Sequence, residues 1–480
     1  MRFRRSGCLL AVAMLVGLMG CTERESRLAV RGEVAPSSTG TVDPAPAADA
    51  EPLPDPAPIR WEPCGALECG AVRVPLDYDD LAGRQIDIAV ARRPAPDGGR
   101  RLGSLLVNPG GPGGSGIDFL ASSGLLGLTD RFDLVSWDPR GVGRSEPLAC
   151  GSDQVGFLGL DPDPDDPAEQ EALEREAARI ATACAQEDPA LLANIDTTIQ
   201  ANDLEMIRRA LGEDQINYLG FSYGTLIGLE YARRFPTRLR TLVLDGVVDP
   251  QLTLEQMLTG QAVQMERYLA DLADLYDRVM ARAEHEPLVL RDGSPAGPDV
   301  VVLAAIAATY RGGGREELRR ALTAADRGDP TLLGELASAY VTASDSFGAY
   351  VAVLCADGPR PAGIAGWRAM ALRLAEQAPR IGAPAVNEVL ACAFWPVEPT
   401  RRPAPVAPEG LAPALVIGTT GDAATPYDDA VRVTRNLPGA VLLTFDADGH
   451  TATGRSRCVQ RVVRRYLEDL ELPEPGSACG

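Results

Sequence analysis

The chain is 480 residues long, 45% hydrophobic and 24% charged, which is enough for a full buried core and too long for one small module. Its formal net charge of −21 argues against a nucleic-acid partner, since phosphate binding needs clustered cations. All 46 cationic residues are arginine.

In chain order the leader comes first. Arg2, Arg4 and Arg5 precede an uncharged run, Cys8 to Gly20, that is too short to cross a bilayer core of roughly 30 Å as a helix and so reads as the core of an export signal. Its end, Leu18-Met19-Gly20-Cys21, resembles a bacterial lipobox, in which Cys21 becomes the lipidated N-terminus. The alternative is an ordinary secretory signal with a chance cysteine. Residues 1–21 are therefore read as a lipoprotein signal peptide, and residues 22–58, rich in Pro, Ala and Asp, as a semi-extended tether. The expected location is extracytoplasmic, either anchored to the membrane through that lipid alone or secreted.

Cysteine usage agrees with export. Beyond Cys8 and Cys21 the chain carries Cys64, Cys69, Cys150, Cys184, Cys355, Cys392, Cys458 and Cys479. Their spacing falls into sequence-local couples, predicting disulfides 64–69, 150–184, 355–392 and 458–479. Zinc is the competing use, disfavoured by the two histidines and the absence of a Cys-x-x-Cys pair.

Residues 59–250 open with two β segments, "AVRVPLDYDD" and "QIDIAVARRPA", and then alternate. "GSLLVNPGG" and "RFDLVSWDPRGVGRS" read as strands running into turns. "TTIQANDLEMIRRALGE" has a helical apolar stripe through Ile199, Leu204, Ile207 and Leu211 that Asn202 and Asp203 interrupt. "INYLGF", "TLIGLEYARRFP" and "LRTLVLDGV" continue as strand, helix and strand. Residues 251–405 read as helices, and residues 406–480 resume strands at "PALVIGTTGD" and "AVLLTFDADGH" before a closing helix. Alternation of this kind predicts a mostly parallel sheet covered on both faces, with a mostly helical cap inserted: an α/β-hydrolase layout.

Gly220-Phe221-Ser222-Tyr223-Gly224 fits Gly-x-Ser-x-Gly, which places a serine at the tip of a strand-to-helix turn. A serine hydroxyl needs a base, and the base needs a carboxylate. Of the two histidines, His285 ends a polar helix and reads as a surface residue, whereas His450 follows a late strand, where a hydrolase places its base. Asp422, just beyond the next-to-last strand, is favoured as the acid over Asp245; Asp446 and Asp448 lie too close to His450 in sequence to face its ring. The loop "LVNPGGPGGSG" stands where one oxyanion N–H belongs, and Tyr223 follows the serine to supply the other. No metal or organic cofactor is implied.

Taken together, "NPGGPGGSG", "SWDPRGVGRS", "GFSYGT", "DGVVDP", "CADGPRP", "GTTGDAATP" and "DGHTA" resemble the tripeptidyl aminopeptidases of the α/β-hydrolase superfamily, relatives of proline iminopeptidases with a characteristic C-terminal region. The likeness runs from about Trp61 to Cys479. It implies a serine exopeptidase acting on peptides with free N-termini, with Ser222, Asp422 and His450 as its triad. Aligned with the His-Gly-Gly-Pro-Gly loop of the iminopeptidases, Gly111 is the oxyanion donor and Pro109 replaces the histidine. Acidic residues near the cap bind the substrate amine in such enzymes, which makes Asp357 a candidate here. An esterase or lipase would use the same triad, and a non-catalytic surface binding protein would keep the fold without the chemistry.

Overall fold

The structure, a computed structural model, describes residues 53–96, 100–122, 128, 130–151, 154–291, 293–343 and 347–480. The leader, Cys21 and nearly all of the tether lie outside the described residues.

The strands are β1 (Glu62–Cys64), β2 (Leu67–Pro75), β3 (Gln85–Arg93), β4 (Ser104–Asn108), β5 (Asp133–Trp137), β6 (Ile216–Phe221), β7 (Leu239–Asp245), β8 (Leu288–Val289), β9 (Pro295–Ala296), β10 (Leu415–Gly421), β11 (Val441–Asp448) and β12 (Ala478–Cys479). All but the β8–β9 hairpin join one ten-stranded sheet in the order β1-β2-β3-β5-β4-β6-β7-β10-β11-β12. The pairings β1–β2, β2–β3 and β3–β5 are antiparallel, and every later one is parallel. Strands β4, β5 and β6 are buried at every residue, as parallel strands covered on both faces must be.

Period-2 alternation divides their side chains between two cores. Leu106, Val135 and Tyr218 point to the face covered by helices Thr197–Ala210 and Tyr223–Arg234. Leu105, Val107, Leu134 and Leu219 point to the other, under helices Gly116–Ser122 and Arg457–Asp469. The last of these buries Val459, Val463, Tyr466 and Leu467, an i, i+4, i+7, i+8 stripe.

The interrupted stripe of helix Thr197–Ala210 has a physical reason. Asp203 is buried and accepts two hydrogen bonds from Arg140, both at 2.7 Å, and one from Tyr78 Oη at 2.8 Å. Arg140, itself fully buried, also donates to the carbonyls of Leu76, Asn194 and Pro75. Asn202 accepts from Arg234 Nε at 3.0 Å. These polar groups are buried because they are partnered.

Between β7 and β10 the chain adds no strand to the main sheet and forms helices from Leu254–Leu269 to Gly382–Asn387. The first begins in a capping box made by Thr253 and Gln256. Helix Pro167–Glu187, which precedes residue 250, packs against the Leu390–Phe394 turn of this helical body and receives Arg368 on Glu174 at 2.7 and 2.8 Å. Four disulfides join Cys64–Cys69, Cys150–Cys184, Cys355–Cys392 and Cys458–Cys479, the couples read from spacing. Among the described residues no helix is long and apolar enough to cross a membrane.

Candidate active site

Ser222 lies between β6 and helix Tyr223–Arg234 with φ 53° and ψ −129°, a left-handed conformation that is strained for a residue with a Cβ. The flanking glycines follow from how tightly the turn is folded. A Cβ on Gly220 would stand 2.5 Å from the Gly224 carbonyl oxygen, and one on Gly224 would stand 2.6 Å from that of Asn108. Tyr218 Oη donates to the Gly224 carbonyl at 2.7 Å and holds the turn from below.

The loop after β4 lies against this turn. Gly110, at φ +89°, comes so close that a Cβ would meet Phe221 O at 2.5 Å and Tyr223 N at 2.8 Å. Gly111 and Tyr223 both border the cavity beside Ser222. As the first residue of its helix, Tyr223 has an N–H with no intrahelical acceptor.

His450 follows β11 and turns its Nδ1 onto Asp422, 3.0 and 2.9 Å from the two carboxylate oxygens. Asp422 is fully buried at the end of β10 and also accepts from the amides of Ala424, Thr425 and Thr451 and from Thr425 Oγ1. Burial opposes protonation of the imidazole. The Asp422 charge and hydrogen bond, aided by Asp245, outweigh it and hold the His450 pKa above its ordinary value, although Arg455 pulls the other way. His450 Nε2 has no hydrogen-bond partner among the described residues, so the Ser222–His450 bond is not made in this structure. Such bonds are often long in unliganded sites.

Asp245 has a different task. Its carboxylate accepts the amides of Ala452, at 2.9 and 3.1 Å, and of Thr453, at 2.7 Å, and so fastens the loop that carries His450. The structure thus brings Asp422, not Asp245, to the imidazole. Asp446 accepts from Thr420 at 2.9 Å, Asp448 pairs with Arg315 at 3.1 Å, and His285 is exposed at a helix end.

The cavity over Ser222 has two lobes that share Gly111, Tyr310, Tyr340, Tyr350 and Glu388. One lobe adds Asp357 and Arg401; the other adds His450 and Arg311. Asp357 is buried, accepts the Thr197 amide at 2.8 Å and the Thr197 hydroxyl, and lies 3.9 Å from Arg401 Nε. Burial pushes its carboxyl up to about 6 against the opposing pull of Arg401 and Thr197. Sequence reasoning missed Glu388 and Tyr310. A lone acid within the apolar run "PAVNEVLACAF" is the signal that marks Glu388; Tyr310, ending an apolar helix before three glycines, has a weaker one. Among the described residues no cluster of three or more His, Cys, Asp or Glu could hold a metal ion.

An imidazole whose Nδ1 is held by a carboxylate and whose Nε2 is unpartnered can accept a proton from a serine on the wall of the same cavity, and amides beside that serine can receive a developing oxyanion. Sheet order, strained serine turn and late histidine together define an α/β hydrolase, and the chain belongs to that family: residues 103–292 match the family model described as alpha/beta hydrolase fold. Residues 378–479 match the one described as TAP-like protein. Among curated relatives, the chain is similar to Serine protease Hip1 of Mycobacterium tuberculosis, 34% identical over 88% of this chain and 91% of that one. It is 32% identical to Tripeptidyl aminopeptidase of Streptomyces lividans, over 86% and 84%. It is 36% identical to Carboxylesterase B of M. tuberculosis, over 86% of each.

Proposed function

We propose that the protein is an exported serine exopeptidase that hydrolyses peptide bonds near free N-termini, with Ser222 as nucleophile, His450 as base and Asp422 as its orienting acid. The observation that carries this reading is the Asp422–His450 pair, with Nε2 unpartnered, in one capped cavity with Ser222. His450 takes the Ser222 proton as Oγ attacks the carbonyl, then gives it to the departing amine; water releases the acyl group by the reverse roles. Gly111 and Tyr223 supply oxyanion N–H groups. The relatives named as a serine protease and a tripeptidyl aminopeptidase support a peptidase.

Asp357 is the candidate for the substrate α-ammonium, a charge that a blocked N-terminus lacks. Export is supported by the four disulfides, and Cys21 is the proposed lipid anchor. The test uses one chromogenic tripeptide amide in free-amine and N-acetylated forms, with Ser222→Ala alongside. Cleavage of the free-amine form alone, lost in the variant, is expected. Equal cleavage of both forms overturns the exopeptidase assignment, and undiminished hydrolysis by the variant overturns the nucleophile. The relative named Carboxylesterase B supports a second reading, an esterase with the same triad, which requires turnover of short esters without turnover of amides.

A further inference from the structure

Of the carboxylates that border the cavity, Asp357 has a proposed task and Asp249 pairs with Arg432 at 2.8 Å, which leaves Glu388. Glu388 borders both lobes, whereas Asp357 borders only one and His450 only the other. Tyr340 Oη donates to Glu388 Oε1 at 2.6 Å. Among the described residues no arginine forms an ion pair with Glu388. Arg401 stands by Asp357 at 3.9 Å, and Arg311 pairs with Glu317 at 3.7 Å. Lysine is absent from the chain. Burial raises the Glu388 carboxyl pKa against the opposing pull of the Tyr340 hydrogen bond, and a cation arriving from outside supplies the charge that favours its ionised form.

The walls around it are aromatic. Tyr310 and Tyr340 have ring centroids 6.2 Å apart, and Tyr350, stacked on Phe347 at 5.9 Å, borders the same two lobes. Burial raises the pKa of all three hydroxyls, so the rings stay neutral and offer electron-rich faces. Neutral rings leading to a carboxylate suit a cation on an apolar stem, with the methylenes against the rings and the head group at Glu388. An α-ammonium has no such stem.

We infer that Glu388, walled by Tyr310, Tyr340 and Tyr350, is a specificity site for a lysine or arginine side chain of the substrate, separate from the amine site proposed at Asp357. It rests on the peptidase reading for the position of the substrate. It follows that substrates with a basic residue close to the scissile bond are preferred over neutral isosteres of equal length.

The experiment compares free-amine tripeptide anilides, and the matching aryl esters, carrying lysine or norleucine at each of the three positions in turn. At one position the wild-type protein is expected to favour lysine about tenfold or more in kcat/KM. Glu388→Gln is expected to bring that ratio to within about twofold of one. Tyr340→Phe, which removes only the hydroxyl that orients Glu388, is expected to lower the ratio without abolishing it; melting curves of both variants report folding. A ratio near one at all positions in the wild type overturns the inference, as does a preference that survives Glu388→Gln. A variant that loses discrimination between free and acetylated N-termini while keeping its lysine ratio also overturns it, because Glu388 is then the amine site. If esters turn over and anilides do not, the peptidase reading fails while the ester ratios still decide the role of Glu388.

Discussion

Tyr310, on the turn after helix Pro298–Thr309, stands edge-on to His450, with ring centroids 5.3 Å apart at 82°, and its carbonyl oxygen accepts the His450 amide at 3.4 Å. A residue of the helical insertion thus braces the imidazole directly. Edge-to-face pairs contribute about 0.5–1.5 kcal/mol, or roughly two- to tenfold in rate if the whole effect falls on catalysis. Tyr310→Ala is expected to lower kcat by that factor and Tyr310→Phe to leave it within about twofold. Steady-state kinetics with a neutral substrate decides it, and an unchanged kcat in the alanine variant rules the brace out.

With His450 as the proposed base, its protonation is expected to set the acidic limb of activity. Its pKa is raised in the fold, so the pairing with Asp422 contributes stability that is fully present below the ordinary imidazole value of 6.5 and is lost as pH rises through the folded value. Catalysis has the opposite sign, because the base works only when neutral. The limb of kcat/KM is expected above pH 6.5 and to fall as the pH drops through it. With only His285 and His450 in the chain, ring-proton NMR can follow both directly. Asp422→Asn is expected to lower the His450 value and leave His285 in place.

Asp245 is expected to matter through the loop it fastens. Asp245→Ala strands the buried amides of Ala452 and Thr453, at about 1–3 kcal/mol each, so denaturant titration is expected to report a loss of roughly 2–6 kcal/mol. Asp245→Asn keeps one acceptor oxygen and is expected to lose less. Equal stability of the alanine variant and the wild type contradicts the anchoring role.

Gly110→Ala tests the fit between the proposed oxyanion loop and the serine turn. Its Cβ would enter within 2.5 Å of Phe221 O at a φ of +89°, so the loop must move off Ser222. Loss of one well-placed donor costs about 10²- to 10³-fold in kcat, with a much smaller change in KM. A KM effect alone means that Gly110 shapes binding and leaves the oxyanion geometry intact.

What could be read from the sequence follows from how local its cause is. The Ser222 turn was legible because Gly220 and Gly224 are required by contacts a few residues away. Strands β4, β5 and β6 were legible as short, mostly apolar segments running into turns. Asp422 was favoured over Asp245 on its place beyond the next-to-last strand, but both follow strands, and only the folded loop shows which one accepts backbone amides and which one meets Nδ1. Asn202 and Asp203 broke a helical stripe for reasons lying 32 and 63 residues away, in Arg234 and Arg140. Glu388 and Tyr310 directly follow helices whose own pattern reports burial and nothing of the cavity the two residues border.

Both margins of the main sheet end in very short strands, β1 and β12, and each is tied down by a disulfide. Cys64–Cys69 links β1 to β2, and Cys458–Cys479 links β12 to helix Arg457–Asp469 while Phe445 and Cys479 stay in register. Unpaired strand margins invite pairing between molecules. Oxidation therefore acts here as a selvedge: it finishes the two borders of the sheet, and a chain held in a reducing compartment keeps both unfinished. Mild reduction is expected to promote self-association before it lowers the activity of the cavity at the sheet's centre, a sequence that light scattering and peptide hydrolysis can follow in one sample.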